Sequence, residues 1–143
     1  MKLSTKSRYG LRAAMEIAKS YGAAPAKRKN IAAAQDISDS YLENILIVLK
    51  NSRIIETSRG VNGGYVLCRA PKDISVLEII TALEGPLDLV ECVRSETVCC
   101  KVPTCAARTV WKELADSFNT ILGRLSLQDV LDREGVLAPS YSI

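Results

Sequence analysis

The chain of 143 residues contains no histidine, so neither an imidazole metal ligand nor the commonest general base is available to it. It has no apolar run near the roughly 20 residues that a membrane span requires. Met1-Lys2-Leu3 leads into polar residues rather than the apolar core of a signal peptide, so a cytoplasmic location is expected. Internal repeats and low-complexity tracts are absent. No Gly-Lys-Ser/Thr follows the glycines at 60–64, which argues against a phosphate-binding loop. No general base, nucleophile pair or cofactor loop accompanies the cysteines, which argues against an enzyme. Five cysteines, an odd number, in a compartment that keeps thiols reduced speak against a disulfide framework and for metal or redox chemistry.

What the chain does have is unevenly placed. Residues 1–60 carry eleven Lys and Arg against five Asp and Glu, whereas residues 61–143 carry eight against eleven. A basic front half suits a polyanion partner, and equally a solvated basic surface. The length allows one core with an appended element.

Hydrophobic spacing predicts a first helix over 4–20 with Gly22 as its stop. Lys27-Arg28-Lys29 then precedes a short helix, with Asn30 as its candidate cap. After the turn Asp36-Ile37-Ser38, Ser38 caps a helix whose apolar positions are Tyr41, Leu42, Ile45, Leu46 and Leu49. The pair reads as a helix-turn-helix, with Asp36 where such turns usually place glycine. Two short runs, 54–58 and 65–68, flank the glycine-rich 59–64 and predict a hairpin. Helix, turn, helix and hairpin in this order make a winged helix.

Ser75 and Glu78 have capping-box spacing, and Ile74 can staple onto Ile79, at the start of a helix that ends before Gly85-Pro86. A long helix over 106–123 carries the stripe Val110 or Trp111, Leu114, Phe118, Ile121, Leu122 and Leu125. That stripe needs a partner, either a twin chain or its own domain. Ser126 and Asp129 start a last helix, and 138–143 is a tail. The fold class expected is mainly α with a small β hairpin. Its parts are a winged helix-turn-helix domain (1–85), a cysteine-rich cluster-binding loop (86–105), and a dimerisation helix with C-terminal tail (106–143).

In the candidate reading helix, Ser38, Ser40, Tyr41, Glu43 and Asn44 occupy the half that reaches base edges. Ser and Asn can bond bases or phosphates. Glu43 repels phosphate but can accept from cytosine, or else faces solvent. In the wing, Arg59 beside Gly60 can enter a narrow minor groove, or equally is a solvent-exposed hairpin arginine. Lys27 and Arg28 are candidate phosphate contacts, or are simply solvated.

Cys92, Cys99, Cys100 and Cys105 fall within fourteen residues. They lack the paired C-x-x-C spacing of structural zinc. Soft thiolates on a loop suit an iron-sulfur cluster, with zinc or bare thiol sensing as alternatives. Cys68, at the end of a strand, reads as a core cysteine.

The residues together resemble a known group. The stretch Leu3-Ser4-Thr5-Lys6-Ser7-Arg8-Tyr9, Ile37 to Glu43, Arg59-Gly60 with Gly63-Gly64-Tyr65, and Cys92, Cys99, Cys105 and Trp111 are similar to the IscR-like iron-sulfur cluster regulators. That winged-helix family includes NsrR and CymR. The resemblance implies a homodimeric regulator, expected to act as a repressor, that binds palindromic promoter DNA and carries a 2Fe-2S cluster whose occupancy selects promoters. Cluster-assembly genes are the implied target, and a cluster-assembly scaffold is the implied donor. It implies DNA contacts from Ser38, Ser40 and Arg59 and site discrimination by Glu43. Asn44 stands where IscR-type proteins have glutamine. Their fourth ligand, a histidine, is here Arg108, and the position at which NsrR-like relatives use a carboxylate is Arg8. The expected ligands are therefore Cys92, Cys99 and Cys105, with Cys100 leading for the fourth place. A cluster-free thiol-redox or cysteine-metabolism repressor is the alternative within the same family.

Overall fold

The computed structural model describes residues 2–139; Met1 and the last four positions of the expected tail lie outside the described residues. Seven α-helices and one two-stranded antiparallel sheet follow in the order α1 (Thr5–Lys19), α2 (Arg28–Gln35), α3 (Asp39–Asn51), β1 (Ile55–Ser58), β2 (Gly64–Leu67), α4 (Val76–Glu84), α5 (Glu91–Arg94), α6 (Ala106–Arg124) and α7 (Leu127–Leu137). None of these helices is long and apolar enough to cross a membrane.

The core forms where apolar stripes of α1, α3 and α4 converge. Ile17, Leu42, Ile45, Leu46, Leu49, Ile54, Ile74 and Ile79 are almost wholly buried there, and Leu127 of α7 joins them. α1 packs on α2, α3, α4 and α7 and is the hub of the unit. Its Ser7 is fully buried, yet its hydroxyl donates to Glu84 Oε1 at 2.7 Å, and the same oxygen accepts from the Ser4 N–H at 2.6 Å. One carboxylate thus joins the start of α1 to the end of α4.

Hydrogen bonds from Ser4 and then Ser7 hold Glu84 below the ordinary glutamate range. A carboxyl whose pKa is depressed by folding contributes stability that is fully present above its unfolded value, about 4.3, and is lost as pH falls through the folded value. The urea midpoint of the native protein is expected to exceed that of Glu84→Gln at pH 6, with the gap closing below about pH 4. A gap that is constant with pH would show that the charge on Glu84 contributes nothing.

Local signals explain most boundaries. Ser4, Ser38, Ser75 and Ser126 each cap a helix by accepting a backbone N–H three residues on, and Ser75/Glu78 and Ser126/Asp129 form complete capping boxes. α2 departs from expectation. It starts at Arg28 with Lys27 as N-cap, and Asn30 lies inside it. No side chain caps this end; Ala26, immediately before it, is instead fixed by two backbone hydrogen bonds to Tyr65, at 2.9 and 2.8 Å. Asp36 takes the left-handed conformation (φ 52°, ψ 50°) that the turn requires, as aspartate can. α3 closes in a Schellman motif, with Ile54 N–H to Leu49 O, Arg53 N–H to Lys50 O, and Arg53 left-handed.

In the wing, Ile55 pairs with Leu67, and both face the core. A five-residue loop, 59–63, joins the strands and is closed by Gly63 N–H to Gly60 O at 3.0 Å. A side chain at Gly64 would place its Cβ about 2.5 Å from the Ala26 carbonyl, so only glycine lets the wing root approach the start of α2. The turn between α6 and α7 is tied to the start of α4 by Val76 N–H to Leu125 O and Leu127 N–H to Ile74 O, both 2.8 Å.

Candidate DNA-reading face and cysteine segment

The apolar stripe of α3 (Leu42, Ile45, Leu46, Leu49) fixes which side of that helix faces out. Ser40, Glu43, Asn44 and Ile47 are exposed on the opposite side, with Ser38 and Asp39 at its beginning. Ser38 Oγ accepts from Tyr41 N–H at 3.4 Å, and its own proton remains free to donate. Tyr41 is half-buried. Its ring meets Tyr9 edge-on, centroids 6.0 Å apart, and Arg12 lies over Tyr9 at 5.3 Å, so this tyrosine docks α3 on α1.

Ile47 was not singled out by the sequence, although it falls outside the core stripe while Glu43 and Asn44 precede it by one turn. Asp39 was also missed. Both it and Glu43 are paired with Arg28, at 2.9 and 3.1 Å. Lys27 is exposed beside them, and Arg59 and Gly60 are exposed in the wing loop. The Ala26–Tyr65 bridge brings Lys27 and Arg28 next to the root of that wing.

Residues 86–105 connect α4 to α6 with little regular structure: the single turn α5, a 3-10 turn at Val102–Thr104, and Cys105 as N-cap of α6. Cys92 and Cys105 are half-buried, and Cys99 and Cys100 are exposed. Among the described residues, no three His, Cys, Asp or Glu side chains gather to hold a metal ion. By donor type, four soft thiols on a partly open loop do fit an iron-sulfur cluster. Arg108, in the first two turns of α6, reaches back across the segment. Its Nε donates to the Cys92 carbonyl at 2.7 Å and its Nη2 to Glu96 at 3.3 Å, with the side chain only 17% exposed. The residue expected in a ligand's place therefore clamps the loop. Cys68 is exposed and not a core cysteine as its sequence context suggests; partial desolvation, with the charge of Glu56, pushes its thiol up.

The profile of the Rrf2 family, described as iron-dependent transcriptional regulators, matches residues 3–133. The chain belongs to the Rrf2 family. It is a DNA-binding transcriptional regulator and not an enzyme. It is 37% identical over 130 residues to the HTH-type transcriptional regulator CymR of Bacillus subtilis, covering 91% of this chain and 89% of that one. The solved structure of B. subtilis CymR, called the global cysteine regulator, superposes with a TM-score of 0.80 at 34% identity, covering 93% and 98% of the two chains. That of T. potens IscR superposes with a TM-score of 0.80 at 31% identity, covering 99% and 94%. This Rrf2 protein is thus similar to both IscR and CymR, and the winged-helix reading of its sequence matches the fold of these neighbours.

Proposed function

We propose that this Rrf2 protein is a homodimeric repressor that lays α3 in the major groove of a palindromic site and holds a 2Fe-2S cluster on residues 86–105. The observation that carries the reading is the pairing of two surfaces. One is the exposed N-terminal half of α3, continuous with Lys27 and the wing; the other is a four-thiol segment joined to α6. Ser38, Ser40 and Asn44 bond base edges or phosphates, Ile47 offers an apolar contact for a thymine methyl, and Arg59 enters the minor groove from the wing. The exposed stripe Val110, Trp111, Leu114 and Ile121 of α6 supplies the dimer contact.

Cys92, Cys99 and Cys105 hold the cluster, with Cys100 completing the set. When bound, the cluster supplies an oxidation-sensitive link among these thiolates. Arg108 connects the Cys92 backbone to α6, so a change at the thiols is passed to the helix that sets the spacing of two readers.

The test is anaerobic reconstitution with iron and sulfide, followed by visible absorption, iron count and affinity for promoter duplexes. Serine at Cys92, Cys99 or Cys105 is expected to abolish the cluster absorption. Cys100→Ser is expected to give a cluster that is lost within minutes in air. Unchanged spectra in these variants would refute the ligand assignment. A second reading, a cluster-free thiol sensor, is favoured by the separation of the four thiols and by the similarity to CymR. It predicts no iron uptake, with DNA affinity that changes on thiol oxidation.

A further inference from the structure

Arg28 opens α2, and its guanidinium lies between two carboxylates of α3. Nε is 2.9 Å from Asp39 Oδ1, and Nη1 is 3.1 Å from Glu43 Oε1. Asp39 and Glu43 are one turn apart and share a side of α3, the side that meets the start of α2. Ser40 and Asn44, also one turn apart, form the neighbouring row on the exposed surface. Arg28 is 35% exposed and its two partners 50% and 52%, and ion pairs this open contribute little to stability. Packing already joins the two helices, since Ile31 of α2 and Leu42 and Ile45 of α3 are buried in one cluster. The fork is therefore unnecessary for holding the fold. It does change what α3 presents to DNA.

An unpaired carboxylate at Glu43 repels phosphate and can accept a hydrogen bond only from a base donor, of which cytosine N4 is the usual one. With Arg28 bound to it, the charge on Glu43 is partly offset, one guanidinium serving two carboxylates, and Oε1 is engaged by the first residue of α2. Asp39 accepts from Nε, so the guanidinium bridges the two carboxylates at two points.

We propose that Arg28 is a specificity-determining residue that masks Glu43, so that the base facing Glu43 is read weakly and Ser40 and Asn44 dominate selection. The proposal rests on α3 being the DNA-reading helix, and the experiment separates the two.

Full-length protein is first used to select duplexes from a random-sequence pool. Affinities are then measured for the selected duplex with each base substituted in turn. If the native protein enriches no common sequence, DNA reading by α3 fails, and the mask falls with it before any variant is made. If a site is selected, Arg28→Gln is expected to raise the preference for cytosine at one position per half-site by about tenfold, mainly by weakening the other three bases. Glu43→Gln and Arg28→Gln/Glu43→Gln are expected to share one base profile, because no carboxylate is left to mask. Asp39→Asn, which removes one anchor but leaves Glu43 paired, is expected to keep the native profile. Two results overturn the proposal: an unchanged profile in Arg28→Gln, or a uniform loss on every duplex that persists in the Glu43→Gln background. The latter would make Arg28 an ordinary phosphate contact. Thermal unfolding of each variant checks that α2 and α3 remain docked.

Discussion

Placing aspartate at both Leu114 and Ile121 is expected to give a folded monomer that binds a palindromic duplex on the order of 10²–10⁴-fold more weakly than the native protein. Leu114 is 43% and Ile121 58% exposed on α6, and neither belongs to the buried core. Their replacement therefore removes little from the fold, because α6 keeps its attachment through Ala115, which is buried, and through the turn at Leu125. In a twofold dimer the same two positions occur twice, so four carboxylates would be brought into an apolar contact. Each leucine or isoleucine buried there contributes about 1.5–3 kcal/mol, and an unpaired buried charge costs more than that. Without the dimer, a second half-site is no longer reached at high effective concentration, which is the source of the predicted loss. Light scattering coupled to size exclusion and fluorescence anisotropy on DNA measure the two effects. A variant that remains a dimer would show that α6 is not the interface.

Leu42→Ala is expected to destabilise the protein by about 2–5 kcal/mol, the range for removing a buried leucine without refilling its space. Its side chain is wholly buried at the start of α3, in the same cluster as Ile31, Ile45 and Leu46. Set against the total of about 5–15 kcal/mol typical of a domain, this is a large fraction. The loss is read as a lower urea midpoint at an unchanged slope. Ile47→Ala is the contrasting variant on the same helix. Ile47 is 50% exposed, so its stability change should stay within about 0.5 kcal/mol, while DNA affinity falls if it meets a base. Equal destabilisation by the two would contradict the assignment of inner and outer faces to α3.

Signals that act within a few residues could be read directly from the chain. The serine caps at 38, 75 and 126 and the apolar stripes of α1 and α3 are of this kind, because spacing of three or four residues carries its own geometry. Asp36 was legible as a strained turn residue, and the structure gives it the conformation that glycine would take more easily. Where the structure departs from expectation, the cause lies in contacts between distant residues. α2 starts at Arg28 because Ala26, just before its N-cap Lys27, is bonded to the wing at Tyr65, and nothing near Asn30 announces this. Glu84 bonds to a serine 77 positions away, and Arg108 bonds to a backbone carbonyl, which has no residue identity to recognise. Of the candidate site, the residues were visible as types, but the partnership of Arg28 with Asp39 and Glu43 was not. A cationic run reads as a set of free phosphate contacts until the fold shows which of its charges is already occupied.

The two hydrogen bonds that join the start of α4 to the turn after α6 make that end of the long helix a fixed pivot. The other end begins at Cys105, nineteen residues and about 28 Å away. Ala115, buried midway along α6, is a second point of attachment, so the free arm is the roughly ten residues, about 15 Å, back to Cys105, and each degree of its tilt moves the far end by about a quarter of an ångström. The thiols and the Arg108 clamp lie at the far end of this arm, and α4 holds the helix at the turn at Leu125 and by packing against it. In the proposed function, displacement at the cysteines would change the angle of this arm relative to the winged helix.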